Sequence, residues 1–186
     1  MAMRAMWVTL PVMASVAAGC STMSNQAATT TTAPPEDIVL QAGDFVSLKD
    51  MTPVRGFFLV NRSGHLDEAM AVAANPDGGT YPVGTVIQLV PQEAMVKRRA
   101  GFDARSDDWE FFSLDVSATG TKILTRGGAE VVNRFGGSCS SCHSAADPKF
   151  DFICEHDHGC QPLPISDDVI RGIQLADPRP IGNAGG

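Results

Sequence analysis

Basic side chains are scarce in this chain. Fourteen Lys and Arg face 21 Asp and Glu, for a formal charge of −7. No basic stripe is present to follow a phosphate backbone, so charge argues against a nucleic-acid partner. The one basic cluster, "VKRRAGFDAR", is followed closely by Asp103, Asp107 and Asp108 and reads as a solvated strand end. Long apolar runs are missing as well. The run from Ala5 to Ala18 is too short to span a bilayer. No internal repeat is visible, and there are only four histidines. What remains is ordinary in apolar content, enough for one domain with a real core.

The start, "MAMRAMWVTLPVMASVAAGC", reads as an export signal over residues 1–19. Arg4 supplies the positive end, and the apolar run closes in small residues. "VAAGC" resembles the bacterial lipobox, which predicts lipidation of Cys20, although Ala17 stands where Leu is usual. Lipidation would place the protein at the outer face of a bacterial membrane, with a lipid anchor as its only membrane contact. Ordinary cleavage near Ala18 would instead leave a soluble periplasmic form. Residues 20–36 hold Thr, Ala, Ser and Pro and little to build a core. They read as a flexible linker, with a single domain over 37–186.

Within that domain, short runs rich in Val, Ile, Phe and Thr are broken by Gly, Pro and Asp. "DFVSL", "VRGFFLV", "GTVIQLV", "EAMVKR", "WEFFSLDV" and "TKILTR" predict strands. Ala118, Thr119 and Gly120 predict a hairpin turn. "SGHLDEAMAVAAN" predicts a helix, with Leu66, Ala69, Met70 and Ala73 on one face and Ser63 as its cap. "GAEVVNRF" predicts a second. The fold class is therefore α+β, mostly antiparallel β-sheet with short helices.

The informative stretch is "RFGGSCSSCHSAAD". Cys139, Cys142 and His143 form a Cys-x-x-Cys-His motif near the C-terminus. From this composition it arises by chance on the order of a few times in a thousand such chains. Its chemistry is covalent haem attachment. Two thiols three apart on a helical turn face the same way and can add to two vinyl groups, and the next residue supplies an imidazole to the iron. An exported location agrees, since such haem is attached outside the cytoplasm. Three rivals use the same residues. A thioredoxin-like redox pair needs a βαβ context that is not visible. A zinc site needs more ligands, which Cys154, His156, His158 and Cys160 could supply. A disulfide between Cys139 and Cys142 would strain a very small ring.

The five cysteines then have assignments. Cys20 takes lipid, Cys139 and Cys142 take one haem c, and Cys154 and Cys160 in "CEHDHGC" pair as a disulfide. A metal site at "CEHDHGC" is the competing reading. No methionine follows Met95, so a downstream methionine ligand is excluded. A His/Met pair would have to draw on Met51, Met70 or Met95, each better suited to core packing.

Residues 82–165 resemble the cytochrome P-460 family, which includes the β-sheet cytochromes c-prime. The resemblance rests on the order of "YPVGTVIQLV", "DDWEFF", "CSSCH" and "DPKFDFIC"; residues 37–79 match more loosely. It implies a mostly antiparallel sheet, one c-type haem, His143 as proximal ligand and a homodimer. It also implies action on small nitrogen species, hydroxylamine or nitric oxide, with electron transfer to a redox partner protein. One branch of the family oxidises hydroxylamine and cross-links a strand lysine to the haem. The other lacks that bond and binds nitric oxide in an apolar pocket. Here Gln88 and Leu89 stand where the lysine is sought, and Lys97 is the nearest strand lysine. Lys97 and Glu110 are the candidate catalytic residues, with Glu68 and Glu93 as further bases and His65 as a sixth ligand or proton shuttle. Phe57, Phe58, Trp109, Phe111 and Phe112 are candidates to line a dry pocket. Capture of nitric oxide without turnover, and plain electron carriage, are the non-enzymatic alternatives.

Overall fold

A computed structural model describes residues 36–133 and 136–182. The leader, Cys20 and all of the linker before Glu36 lie outside the described residues.

Among the described residues six strands form one sheet in the order of the chain, β1 to β6, each antiparallel to the next. They are β1 (Thr52–Val54), β2 (Phe57–Asn61), β3 (Thr85–Gln88), β4 (Glu93–Lys97), β5 (Trp109–Ser117) and β6 (Gly120–Gly127). Among the described residues three short α-helices accompany them: α1 (Leu66–Ala74), α2 (Cys139–His143) and α3 (Asp167–Leu175). The α+β class with a mostly antiparallel sheet is what the alternating β-branched and aromatic runs predict. Ala118 and Thr119 make the β5–β6 turn, with Ser117 opposite Gly120.

Both faces of the sheet are buried, and alternation sorts its residues between them. The front face carries Phe57, Leu59, Ile87, Met95, Trp109 and Phe111. It packs against Ala69 and Ala73 of α1 and against Val131, Cys139, Phe152 and Ile153. The back face carries Val86, Ala94, Val96, Phe112 and Leu114, covered by Leu40, Phe45, Val46, Leu48 and Met51. Each fully buried side chain such as Leu59 contributes about 2 kcal/mol.

Four local expectations are corrected. "DFVSL" is not a strand. Ala42–Asp44 and Leu48–Asp50 are 3₁₀ turns, and Phe45, Val46 and Leu48 are all buried without alternation. "VRGFFLV" is not one strand: Val54 ends the first arm of a hairpin, and the turn and second arm follow. Arg55, in the left-handed region at φ 40°, and Gly56 reverse the chain between β1 and β2. Ser63 does not cap α1. His65 holds that position, and the side chain of Asn61 instead accepts from the amides of Ser63 and His65 at 2.8 and 3.0 Å. "GAEVVNRF" is not helical where described: Val131 is buried, Val132 is exposed, and Val132 bridges to Ser138 as extended chain.

Candidate haem-attachment site

The motif occupies α2, and two segments clamp it to the front face. On one side, the Cys139 amide donates to the Val131 carbonyl at 3.0 Å. The hydroxyls of Ser138 and Ser140 both donate to the Ala129 carbonyl, at 2.9 and 3.2 Å. On the other side stands the loop from Cys154 to Cys160, closed by a disulfide between those two residues. The Asp147 amide donates to the His158 carbonyl at 2.7 Å. Gly159 sits at φ 96°, where a Cβ would stand 3.0 Å from the Ala145 carbonyl oxygen. Only glycine allows that approach with that backbone.

Within α2, Cys139 and Cys142 are one turn apart and share a side of the helix. Cys139 is half-buried against the front-face cluster, and Cys142 is exposed. Burial pushes the Cys139 thiol up to about 11. That is the reverse of the depressed value a nucleophilic redox cysteine requires. An all-antiparallel sheet also contains no βαβ unit.

His143 is the centre of the arrangement. Its ring lies 5.3 Å from the ring of Phe111. Its Nδ1 is 2.7 Å from the Phe152 carbonyl oxygen. A carbonyl only accepts, so Nδ1 carries the proton and Nε2 presents a bare lone pair. Among the described residues nothing bonds to Nε2. Burial lowers the imidazole's affinity for a second proton, which keeps the ring neutral. A neutral ring with one nitrogen tied to a carbonyl and the other bare is the state a metal ligand needs. Two thiols and such an imidazole on a single turn fit the haem c that the motif implies.

The carbonyl aimed at His143 comes from a constrained segment. Asp151 and Phe152 both adopt left-handed backbone, at φ 52° and 66°. Such positions cost roughly 1–3 kcal/mol each and persist only where surroundings enforce them. Those surroundings converge on Asp151, which is buried. Lys97 Nζ lies 2.5 Å from Oδ1, and the Tyr81 amide donates to Oδ2 at 2.7 Å. The Trp109 indole N–H donates to the Asp151 carbonyl at 2.9 Å. Lys97 also donates to the Asp107 carbonyl at 2.8 Å and stands 5.1 Å from the Trp109 ring centroid. Burial raises the Asp151 carboxyl to about 6, against the opposing pull of Lys97. The sequence does not mark Asp151, because one Asp in an acidic loop carries no local signal of burial.

The other candidates are scattered. Glu110 lies on the back face, paired with Arg98 and with Arg126, and the sheet separates it from His143. Glu93 is on β4 two positions from Met95 and is close enough to act on the charge of Cys139. Glu68 is exposed beside His65, whose Nδ1 is 3.0 Å from Oε1. The aromatics divide as alternation requires: Phe57, Trp109 and Phe111 in front, Phe58 and Phe112 behind. Met70 and Met95 are on the front face and Met51 on the back.

The zinc alternative at "CEHDHGC" is not assembled. Its cysteines are bonded to each other. His158 stacks on Phe150 at 3.5 Å, and the exposed His156 faces Asp167. Among the described residues no group of three or more His, Cys, Asp or Glu converges as a metal site. A cleft of about 310 Å³ opens beside this loop, lined by Arg55, Tyr81, Phe150 and His158, and does not include the motif. Among the described residues no helix is long and apolar enough to cross a membrane.

No family model, curated protein or solved structure matches this chain.

Proposed function

We propose that this chain is an exported monohaem c-type protein resembling cytochrome P-460, which binds a small nitrogen species and exchanges electrons with a partner protein. Cys139 and Cys142 would hold the porphyrin and His143 the iron. The observation that carries this reading is the state of His143: Nδ1 committed to the Phe152 carbonyl at 2.7 Å, Nε2 bare, immediately after the second thiol. When bound, the haem would supply a redox-active iron able to take up a small ligand. The chain's own part is to fix the imidazole proton on Nδ1, to orient the ring, and to shield it with Phe111. Cys20 would carry a lipid that tethers the domain at the outer face of a bacterial membrane, and the family likeness adds a homodimer.

Between the family's two activities, capture or turnover of nitric oxide is better supported than hydroxylamine oxidation by a lysine-linked haem. Lys97 is buried and bound to Asp151, so it is not free to bond a haem edge. The electron-carrier alternative draws on Met70 and Met95, which lie in the same front-face cluster as Phe111, the residue whose ring meets His143.

The test is expression in a host that attaches c-type haem. The denatured protein should retain peroxidase-active haem stain, and Cys139→Ser/Cys142→Ser should lose it. The reduced protein should shift its Soret band with nitric oxide, and the peptide containing Lys97 should have its unmodified mass. A colourless wild type would overturn the haem assignment. A spectrum indifferent to nitric oxide and carbon monoxide would leave the carrier reading, and a haem adduct on Lys97 would restore the hydroxylamine oxidase.

A further inference from the structure

The front face contains a buried ion pair that the haem chemistry itself does not use. Lys97 and Asp151 are both buried, with Nζ 2.5 Å from Oδ1. They are 54 positions apart in the chain. A buried pair of this kind is poor evidence for stability, since well-packed apolar residues would serve as well or better. Its surroundings give it a more specific task. Every polar group of Asp151 that meets the sheet or the Tyr81 loop is occupied: Oδ1 by Lys97, Oδ2 by the Tyr81 amide, the carbonyl by the Trp109 indole. The next residue is Phe152, and its carbonyl is the one that meets His143. The backbone between these anchors and that carbonyl is left-handed at both residues. Phenylalanine does not take that conformation by preference.

We propose that Asp151, anchored by Lys97 and Trp109, is a positioning residue that locks the left-handed turn at Asp151–Phe152 and thereby aims the Phe152 carbonyl at Nδ1 of His143. The consequence at the metal rests on the haem reading above, whereas the geometry does not. A carbonyl acceptor on Nδ1 makes the imidazole a stronger donor through Nε2 and fixes its ring plane. A stronger donor favours the ferric over the ferrous state. Loosening the anchor therefore lowers the iron–histidine stretching frequency of the ferrous protein and raises its midpoint potential.

The experiment compares wild type, Asp151→Asn and Glu110→Gln as full-length holoproteins by resonance Raman spectroscopy and redox titration. Asparagine keeps the shape and tolerates left-handed backbone but removes the charge that holds Lys97. Glu110→Gln breaks a comparable buried pair on the opposite face and controls for general loosening. A lower frequency and a higher potential in Asp151→Asn alone support the proposal. Values equal to wild type, or the same shift in Glu110→Gln, overturn it. Should Asp151→Asn not fold, Asp151→Asn/Lys97→Met, which buries no unpaired charge, carries the same comparison. A wild type without haem stain refutes the haem reading by itself. In that colourless chain the ¹⁵N resonances of the His143 ring decide the positioning. An Nδ1–H tautomer that Asp151→Asn loses supports it, and a tautomer common to both overturns it.

Discussion

Glu110 and Phe111 are neighbours in β5, yet the sheet sends them to opposite sides of the molecule. The Phe111 ring lies 5.3 Å from the His143 ring, while the Glu110 carboxylate receives the Arg126 guanidinium at 2.6 Å on the back face and also pairs with Arg98. Glu110 therefore holds the sheet to the N-terminal segment, with Asp37 completing the pairing of Arg98. Breaking a buried pair leaves an uncompensated charge, at a cost of about 3 kcal/mol. Glu110→Gln should lower the urea midpoint accordingly and, on the proposed haem reading, leave the visible spectrum unchanged. A changed spectrum with an unchanged midpoint would place Glu110 in the site after all.

The loop closed by Cys154 and Cys160 supports α2 through the Asp147–His158 backbone bond and the close approach at Gly159. A loop this short contributes roughly 2 kcal/mol in the chain-entropy account. Cys154→Ala/Cys160→Ala should lose about that much in denaturant unfolding. Hydrogen exchange should accelerate in residues 139–147 before it does in the sheet. Uniform acceleration across the sheet would show that the loop does not specifically brace the motif.

Asp151 links stability to pH. Its carboxyl sits at about 6 in the folded chain against an ordinary 3.8, chiefly because it is buried. The folded state thus holds a proton there at pH values where the unfolded chain has released it. The associated stability is fully present below about pH 4 and is lost as pH rises through about 6. Relative to Asp151→Asn, wild type should lose stability between those limits when unfolding is followed by fluorescence. A wild-type advantage that grows with pH instead would mean that Lys97 outweighs the burial.

The two thiols of the motif differ in environment. Cys139 is packed under the front-face cluster with its thiol pushed up to about 11, and Cys142 is exposed. In chain produced without haem attachment, iodoacetamide at about pH 8 should label Cys142 well before Cys139, because thiolate and access both govern the rate. Peptide mass mapping over time reads the order. Equal rates would show that α2 does not rest on the sheet in the absence of haem.

Much of this protein was legible in its sequence. Four of the strands, the β5–β6 turn and α1 follow from local pattern, since period-two alternation and helical spacing are properties of neighbouring residues. The single helical turn that carries Cys139, Cys142 and His143 was legible for the same reason. The pairing of Cys154 with Cys160 follows from counting cysteines, given the expectation that the chain is exported. Local pattern misled where burial was not alternating. Phe45, Val46 and Leu48 look like a strand but cap the back face as an irregular segment. "GAEVVNRF" looked helical, but its valines split between inside and outside as extended chain does.

Local pattern alone places β3 to β6, α1 and the single turn that holds two thiols and an imidazole. Which carbonyl meets that imidazole, and which lysine meets Asp151, follow only from the fold. His143 meets Phe152 across nine positions, and Lys97 meets Asp151 across 54. No local signal marks either contact, because both depend on a loop being pressed against the front of a completed sheet. A lysine that reads as a solvated strand end is buried there because the strand it ends lies under that loop.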